Sequence, residues 1–254
     1  MSSSSDFVVH ADWFKAWFNH PAYLKLYAHR SLEEAEQTIA TLLNFISISE
    51  PNPKALDIAC GSGRHAVALA ENGFQVTAND LSSTLLSEAR ALAQKKNLAL
   101  TFTQFDMRDL PFEQQFDLIV QLFTSFGYFE NDDEDDVVLN HVARALKPNG
   151  WYVLDFLNEH VVRKTMQPKS HRKFGELEIL EERMIFGERV VKSITITEDG
   201  KTHRFMEAVR LYSVENLTAM LLNAGLHVRH LLGDYDGQAF VRERSPRLIF
   251  IAQK

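Results

Sequence analysis

Residues 55–70, ALDIACGSGRHAVALA, limit what this chain can fold into more than any other stretch. A short apolar run carries an acid, Asp57, and a turn with Gly61 and Gly63 follows. The spacing of Ala66, Val67, Leu69 and Ala70 is then helical. A strand, a glycine turn and a helix in that order build a cradle. The free N–H groups and positive dipole end of the helix face a ligand, and the glycines let that ligand approach the backbone.

From the cradle onward strands and helices alternate. Strands are expected at 55–59, 74–80, 98–106, 116–122 and 151–157. The first helix ends at the Asn72-Gly73 stop, the second runs over 83–97, and the third over 133–146. Residues 116–122 are almost continuously apolar, as a strand buried on both faces must be. Lys147-Pro-Asn-Gly150 is expected to be a turn. This alternation with short links predicts a doubly wound, parallel α/β sheet. The rhythm changes after Asn158. Val190–Thr197 and Arg204–Tyr212 flank the turn residues 198–201, which predicts an inserted antiparallel sheet. A helix from Ser213 to Gly225 and strands at 226–232 and 247–252 resume the α/β pattern, with a loop over 233–246.

Ahead of the cradle, residues 1–6 are expected to be disordered. An aromatic-rich stretch with Trp13, Phe14, Trp17 and Phe18 has helical spacing, Pro21 opens a second helix, and Ser31 with Glu34 caps a third. The chain therefore divides into a helical cap over 1–48, a Rossmann-like core over 49–158, an inserted lid over 159–212 and a completion of the core sheet over 213–254.

Three acids say what the cradle holds. Gly61-Ser-Gly63-Arg-His-Ala66 fits a dinucleotide fingerprint, and Asp80 lies about 20 residues beyond the first strand, where a ribose diol is gripped. An NAD-dependent oxidoreductase fits those two features. Asp57, however, would repel a pyrophosphate and suits a ligand ammonium group. Asp106 with Met107 suits an adenine: a carboxylate accepts from its amine and an apolar side chain covers its face.

The segments DIACGSG, VTANDLS, FDMRDLPF, FDLIVQLFTSFGYF and LKPNGWYVLDF resemble, in order, the motifs of class I S-adenosylmethionine-dependent methyltransferases. The resemblance covers about residues 50–158, and 225–254 fits that family's antiparallel final hairpin. It implies a seven-stranded, mostly parallel sheet with an antiparallel last strand. It also implies S-adenosylmethionine as cofactor and S-adenosylhomocysteine as product. Asp57, Ala59, Gly61 and Gly63 would line the methionine part, and Asp80 with Leu81 the ribose. Asp106 and Met107 would hold adenine, and Leu122 and Phe123 would flank the sulfonium. LYAHR and FTSFGYF, with the β insertion, resemble small-molecule N-methyltransferases acting on amino-sugar nucleotides and on glycine. There an N-terminal tyrosine reaches the methionine end, which implies Tyr27 and then Tyr23. Some sugar enzymes carry a histidine where this chain has Tyr128. Tyr27 and Tyr128 are the candidates for lining the methyl-transfer point.

Bulk properties set the remaining expectations. The formal net charge of −7 opposes sequence-independent binding to a phosphate backbone, and no apolar run is long enough for a membrane helix. The strand-four loop reads QLFT rather than the (N/D)PPY type used on many nucleic-acid amines. A small-molecule nitrogen or oxygen is therefore the expected acceptor. One cysteine, Cys60, and no leader-like N-terminus fit a cytoplasmic protein. The histidines show no metal-binding spacing, and the acidic run 132–136 is a helix start. A non-catalytic cofactor-binding scaffold also fits the cradle. The oligomeric state stays open, a homodimer being compatible.

Overall fold

The computed structural model describes residues 10–27 and 29–254. The disorder expected at residues 1–6 lies outside the described residues. Two short helices, α1 (Trp13–Asn19) and α2 (Pro21–Leu26), precede α3 (Leu32–Leu43), which the Ser31 hydroxyl caps by accepting from Glu34 N at 3.0 Å. The core then runs β1 (Lys54–Ile58), α4 (Arg64–Glu71), β2 (Gln75–Asn79), α5 (Ser83–Lys95), β3 (Thr101–Thr103), β4 (Phe116–Gln121), α6 (Asp132–Ala145) and β5 (Leu146–Leu157). A helix α7 (Glu159–Thr165) leads to the hairpins of β6 (Lys169–Phe174), β7 (Leu177–Phe186), β8 (Arg189–Glu198) and β9 (Lys201–Arg210). The chain ends with α8 (Val214–Asn223), β10 (His227–Leu232) and β11 (Arg247–Gln253).

Among the described residues, seven strands form one sheet in the order β10-β11-β5-β4-β1-β2-β3. The pairings of β1 with β2 and β4, of β2 with β3 and of β4 with β5 are parallel, and β11 is antiparallel to β5 and β10. The strand order reverses at β1, so the crevice beyond the carboxyl ends of β1 and β4 is the natural ligand site of such a sheet. Alternation along β1 sends Leu56 and Ile58 into one core with Leu110, Phe126 and Phe156, and Ala55 into the other with Ala66, Leu69 and Val120. Asp57 therefore leaves the sheet on the α4 side. Four further strands form the antiparallel sheet β6-β7-β8-β9, whose β9 packs against α1.

Three local expectations are corrected. Residues 147–150 are not a free turn but a bulge inside β5. Phe116 pairs with Leu146 and Leu118 with Trp151, while Asn149 takes φ +63°. Lys147 reaches back to Asp117 at 2.8 Å, which holds the turn residues in the sheet. The third strand shrinks to Thr101–Thr103 because the Asn79 side chain takes the Phe105 N–H at 2.9 Å, and Asp106 caps a 3-10 turn at Met107–Asp109. Helix α7 and strand β6 occupy residues where the periodicity showed no element. The hairpin turn after Glu198 is confirmed, with Asp199 and Gly200 at φ +50° and +73°.

Candidate active site

A cavity of about 220 Å³ opens at the carboxyl ends of β1, β2 and β4, roofed by α1 and α2. Its floor is the glycine turn. Ala59 and Gly61 both sit in the left-handed region, at φ +55° and +57°, and both line the cavity. Nothing lies within 4 Å of where a Gly61 Cβ would point, so that position faces open space. Gly63 does not line the cavity. A Cβ there would stand 2.7 Å from the Ala89 Cβ, so Gly63 lets α4 lie close on α5. The other twelve residues expected at the site line this cavity: Tyr23, Tyr27, Asp57, Ala59, Gly61, Asp80, Leu81, Asp106, Met107, Leu122, Phe123 and Tyr128.

The three acids differ in how they are held. Asp57 is 2% exposed, and its Oδ2 has no hydrogen-bond partner among the described residues. Burial first, then the nearby Asp80 charge, pushes its carboxyl up to about 8. Asp80 accepts from Gly61 N and Ser82 N, each at 2.8 Å, and so ties the glycine turn to the start of α5. Burial still pushes it up to about 6. The Ser82 hydroxyl bonds Phe18 O at 2.8 Å, which hooks α1 onto the core beside Asp80. For Asp106, burial pushes the carboxyl up, but the Arg108 guanidinium (2.6 and 3.0 Å) and N–H outweigh it and hold the group below its usual range.

Aromatic rings close the opposite wall. Tyr128 lies against Trp13, Phe14 and Phe18, with centroids 5.0, 6.2 and 5.9 Å away. No hydrogen bond reaches its hydroxyl among the described residues, and burial pushes its pKa well above the ordinary value. Burial likewise pushes Tyr23 up to about 12. Both phenols stay protonated at neutral pH and can donate or accept a hydrogen bond, but they are poor bases. Tyr27 differs: its ring lines the cavity while its hydroxyl is engaged by Glu207 and Lys192, neither of which lines it.

Three basic residues that line the cavity are outside the expected set: Arg30, Arg64 and His65. Arg30, the last residue of the LYAHR segment, has its guanidinium 4.2 Å from the Tyr27 centroid and 4.9 Å from that of Phe123. Arg64 lies 5.4 Å from the Phe123 ring; burial, then the Arg30 charge, lowers its pKa. His65 is buried, its Nε2 lacks a partner among the described residues, and burial drives its pKa down to about 3. The signal for Arg64 and His65 is their place in the first turn of the helix behind the glycines. Phe123 and Thr124 turn the chain after β4 at φ +57° and +63°. The buried Asp155 holds that turn, accepting from Phe123 N (2.7 Å), Tyr235 OH (2.6 Å) and Arg247 Nε (2.7 Å).

No helix among the described residues is long and apolar enough to cross a membrane. Residues 55–150 match a family model described as a methyltransferase domain. The chain is 24% identical over 226 residues to the cypemycin N-terminal methyltransferase of a Streptomyces species, covering 85% of this chain and 90% of that one. It is 26% identical over 201 residues to the dTDP-3-amino-3,4,6-trideoxy-alpha-D-glucopyranose N,N-dimethyltransferase of Streptomyces venezuelae, covering 72% and 79%. The fold superposes with a TM-score of 0.79 on a solved S-adenosylmethionine-dependent methyltransferase from Clostridium acetobutylicum, at 21% identity, covering 91% and 96%.

Proposed function

We infer the acceptor from one premise: this chain is a class I S-adenosylmethionine-dependent methyltransferase. We propose that it methylates an amine nitrogen of a small molecule. One observation carries this reading. The cavity tyrosines stay protonated, His65 is held neutral with a very low pKa, and on this reading Asp57, Asp80 and Asp106 are engaged by the cofactor, so no effective base is left for the acceptor. An amine that arrives neutral attacks through its own lone pair and needs none, whereas a hydroxyl does. The two Streptomyces relatives, named as N-terminal and N,N-dimethyltransferases, support the same acceptor atom.

The Asp57 Oδ2, without a hydrogen-bond partner among the described residues, fits the cofactor, because a buried carboxylate without a cation is costly and a ligand ammonium supplies one. On this reading Asp57 takes the ammonium and Arg30 the carboxylate of the methionine part, against the backbone of Ala59 and Gly61. Asp80 takes the ribose hydroxyls beside Leu81. Asp106, aimed by Arg108, takes the adenine amine, and Met107 covers the ring. Leu122 and Phe123 flank the sulfur, with Tyr23 and Tyr27 over the methionine end. When bound, the cofactor supplies an electrophilic methyl group on a sulfonium. The protein's own contribution is to align the acceptor, exclude water and leave the amine uncharged before attack. Tyr128 hydrogen-bonds the acceptor beside the transfer point.

We extend the proposal to the chain's organisation. Residues 1–48 and 159–212 cap and select, while 49–158 and 213–254 hold the cofactor. A net charge of −7 favours small-molecule over nucleic-acid acceptors, and the single cysteine supports a cytoplasmic location.

Titration calorimetry with S-adenosylhomocysteine and with NAD tests the cradle, and a panel of amines and their hydroxyl analogues tests the acceptor. S-adenosylhomocysteine binding with methyl transfer to amines is expected. Micromolar NAD binding alone, or transfer only to hydroxyls, overturns the proposal.

A further inference from the structure

No residue of the inserted sheet lines the cavity among the described residues; the sheet acts on the cavity wall through Tyr27. Lys192 on β8 and Glu207 on β9 are directly opposed in register, on the sheet face that meets α1. Phe205, two residues before Glu207 and so on the same face, packs on Trp17 with centroids 4.8 Å apart. Glu207 Oε1 accepts from Trp17 Nε1 of α1 at 2.8 Å and from the Tyr27 hydroxyl, just past α2, at 2.8 Å. Lys192 Nζ pairs with Glu207 Oε2 at 2.5 Å and donates to the Tyr27 hydroxyl at 2.7 Å. The two charged side chains are only 15% and 18% exposed.

A phenol hydroxyl has one proton to donate. At Tyr27 that proton is given to Glu207, and an oxygen lone pair takes the lysine. The hydroxyl is thereby fixed from two sides, which leaves the ring a single orientation. That ring lines the cavity, packs tilted against Tyr23 with centroids 4.8 Å apart and carries the Arg30 guanidinium at 4.2 Å. Through Trp17 the same carboxylate also fixes α1, whose Phe14 and Phe18 line the cavity.

We propose that Glu207, with Lys192, is a positioning residue for the Tyr27 ring, so that the inserted sheet is a working part of the cofactor site as well as a lid. This rests on the reading of the cavity as the cofactor site. Glu207 touches neither cofactor nor acceptor and acts through Tyr27 and Trp17. The sheet and the cradle then share one binding free energy: an acceptor that settles the sheet also settles the methionine end.

The test is a double-mutant cycle on S-adenosylhomocysteine affinity, read by calorimetry for the wild type, Glu207→Ala, Tyr27→Phe and the double variant. Glu207→Ala is expected to weaken binding about tenfold, the scale of one charge-assisted hydrogen bond. Tyr27→Phe weakens it to a similar degree, and the double variant loses no more than the larger single loss. Glu207→Gln restores most of the affinity, because its carbonyl still accepts from Trp17 and Tyr27. Where Glu207→Ala does not fold, Lys192→Met replaces it in the cycle with the same non-additive result expected. Additive losses, or unchanged affinity in either sheet variant, overturn the positioning role while leaving the cofactor site standing. A wild-type protein that does not bind S-adenosylhomocysteine overturns both.

Discussion

The cradle and the inserted sheet both bury carboxylates, but they treat them in opposite ways. In the cradle, Asp57 keeps an oxygen without a partner among the described residues, and burial pushes its carboxyl up to about 8. In the sheet, Glu181 is equally buried, yet Arg172 at 2.8 Å, Arg183 at 3.1 Å and Lys192 at 3.7 Å surround it. Burial pushes Glu181 up, and those cations more than reverse it, so it lies below the usual range. Glu207 behaves the same way, with Lys192 the leading opposing charge. A carboxylate completed by the chain's own cations is structural. One left incomplete in a cavity is an invitation to a cation from outside.

The largest break in this contrast is a change at Glu181. Removing it leaves two guanidiniums and an ammonium facing one another on β6, β7 and β8. Glu181→Leu is expected to destabilise the fold by about 2–4 kcal/mol, less than a fully buried pair because the arginines keep some water. Urea unfolding measures it; an unchanged midpoint would mean that the three cations relax into solvent at no cost.

The two glycines of the turn sharpen the contrast between packing and binding. Gly63→Ala meets both a left-handed φ of +79° and the Ala89 Cβ, so it is expected to cost about 2–3 kcal/mol of stability. Gly61→Ala meets only its φ of +57°, costs about 1 kcal/mol, and instead narrows the cavity floor. Thermal unfolding and S-adenosylhomocysteine titration on both variants should therefore rank them in opposite orders. The same ranking in both assays would remove the division of labour between them.

Asp57→Asn tests the incomplete carboxylate itself. The loss expected in S-adenosylhomocysteine affinity is about 1.5–3 kcal/mol, that of a hydrogen bond to a charged group. The pH dependence has a definite sign. The folded protein raises the Asp57 pKa from 3.8 to about 8, so between those values the folded state binds the extra proton. Stability of the ligand-free protein then falls as pH rises through that window and levels above about 8. A cation at Asp57 demands the ionised form. Ligand binding therefore releases a proton below about pH 8, and affinity rises with pH toward that value. Asp80, pushed up to about 6, contributes to the lower half of the window. Calorimetry in buffers of different ionisation enthalpy measures the proton; its persistence in Asp57→Asn would transfer the role to Asp80.

Legibility in the sequence follows the same division. The cradle is readable because its chemistry is local: an acid, two glycines and a helix start lie within ten residues, and a strand end fixes where each acid emerges. The misreading of Gly63 shows the limit. A fingerprint glycine marks a close approach without saying whether a ligand or Ala89 is approaching. Tyr27 and Glu207 are 180 residues apart, and nothing in the alternation of β9 marks Glu207 as facing α1 rather than solvent. Asp155 likewise reads as one more strand residue, although it gathers Phe123, Tyr235 and Arg247 from separate loops and strands. Long-range ion pairs leave no periodic trace, so the inserted sheet and its contacts with the helical cap are the parts least visible before folding.

The smallest expected effect falls where neither region claims a side chain. Tyr128 has its ring fixed by Trp13, Phe14 and Phe18 but its hydroxyl bonded to nothing among the described residues. Tyr128→Phe keeps the ring and removes only that group, so stability should hold within about 0.5 kcal/mol. Cofactor affinity should hold as well, since its proposed anchors lie on other residues. What changes is the acceptor: its KM rises or its kcat falls by several-fold, the size of one net hydrogen bond of about 1 kcal/mol. Loss in the variant of a rate that rises with pH would instead mean that Tyr128 works as a base after all, despite the burial that pushes its pKa up. A hydroxyl acceptor would then replace the amine. Unchanged kinetics on every amine tried would place the acceptor elsewhere, against the inserted sheet alone.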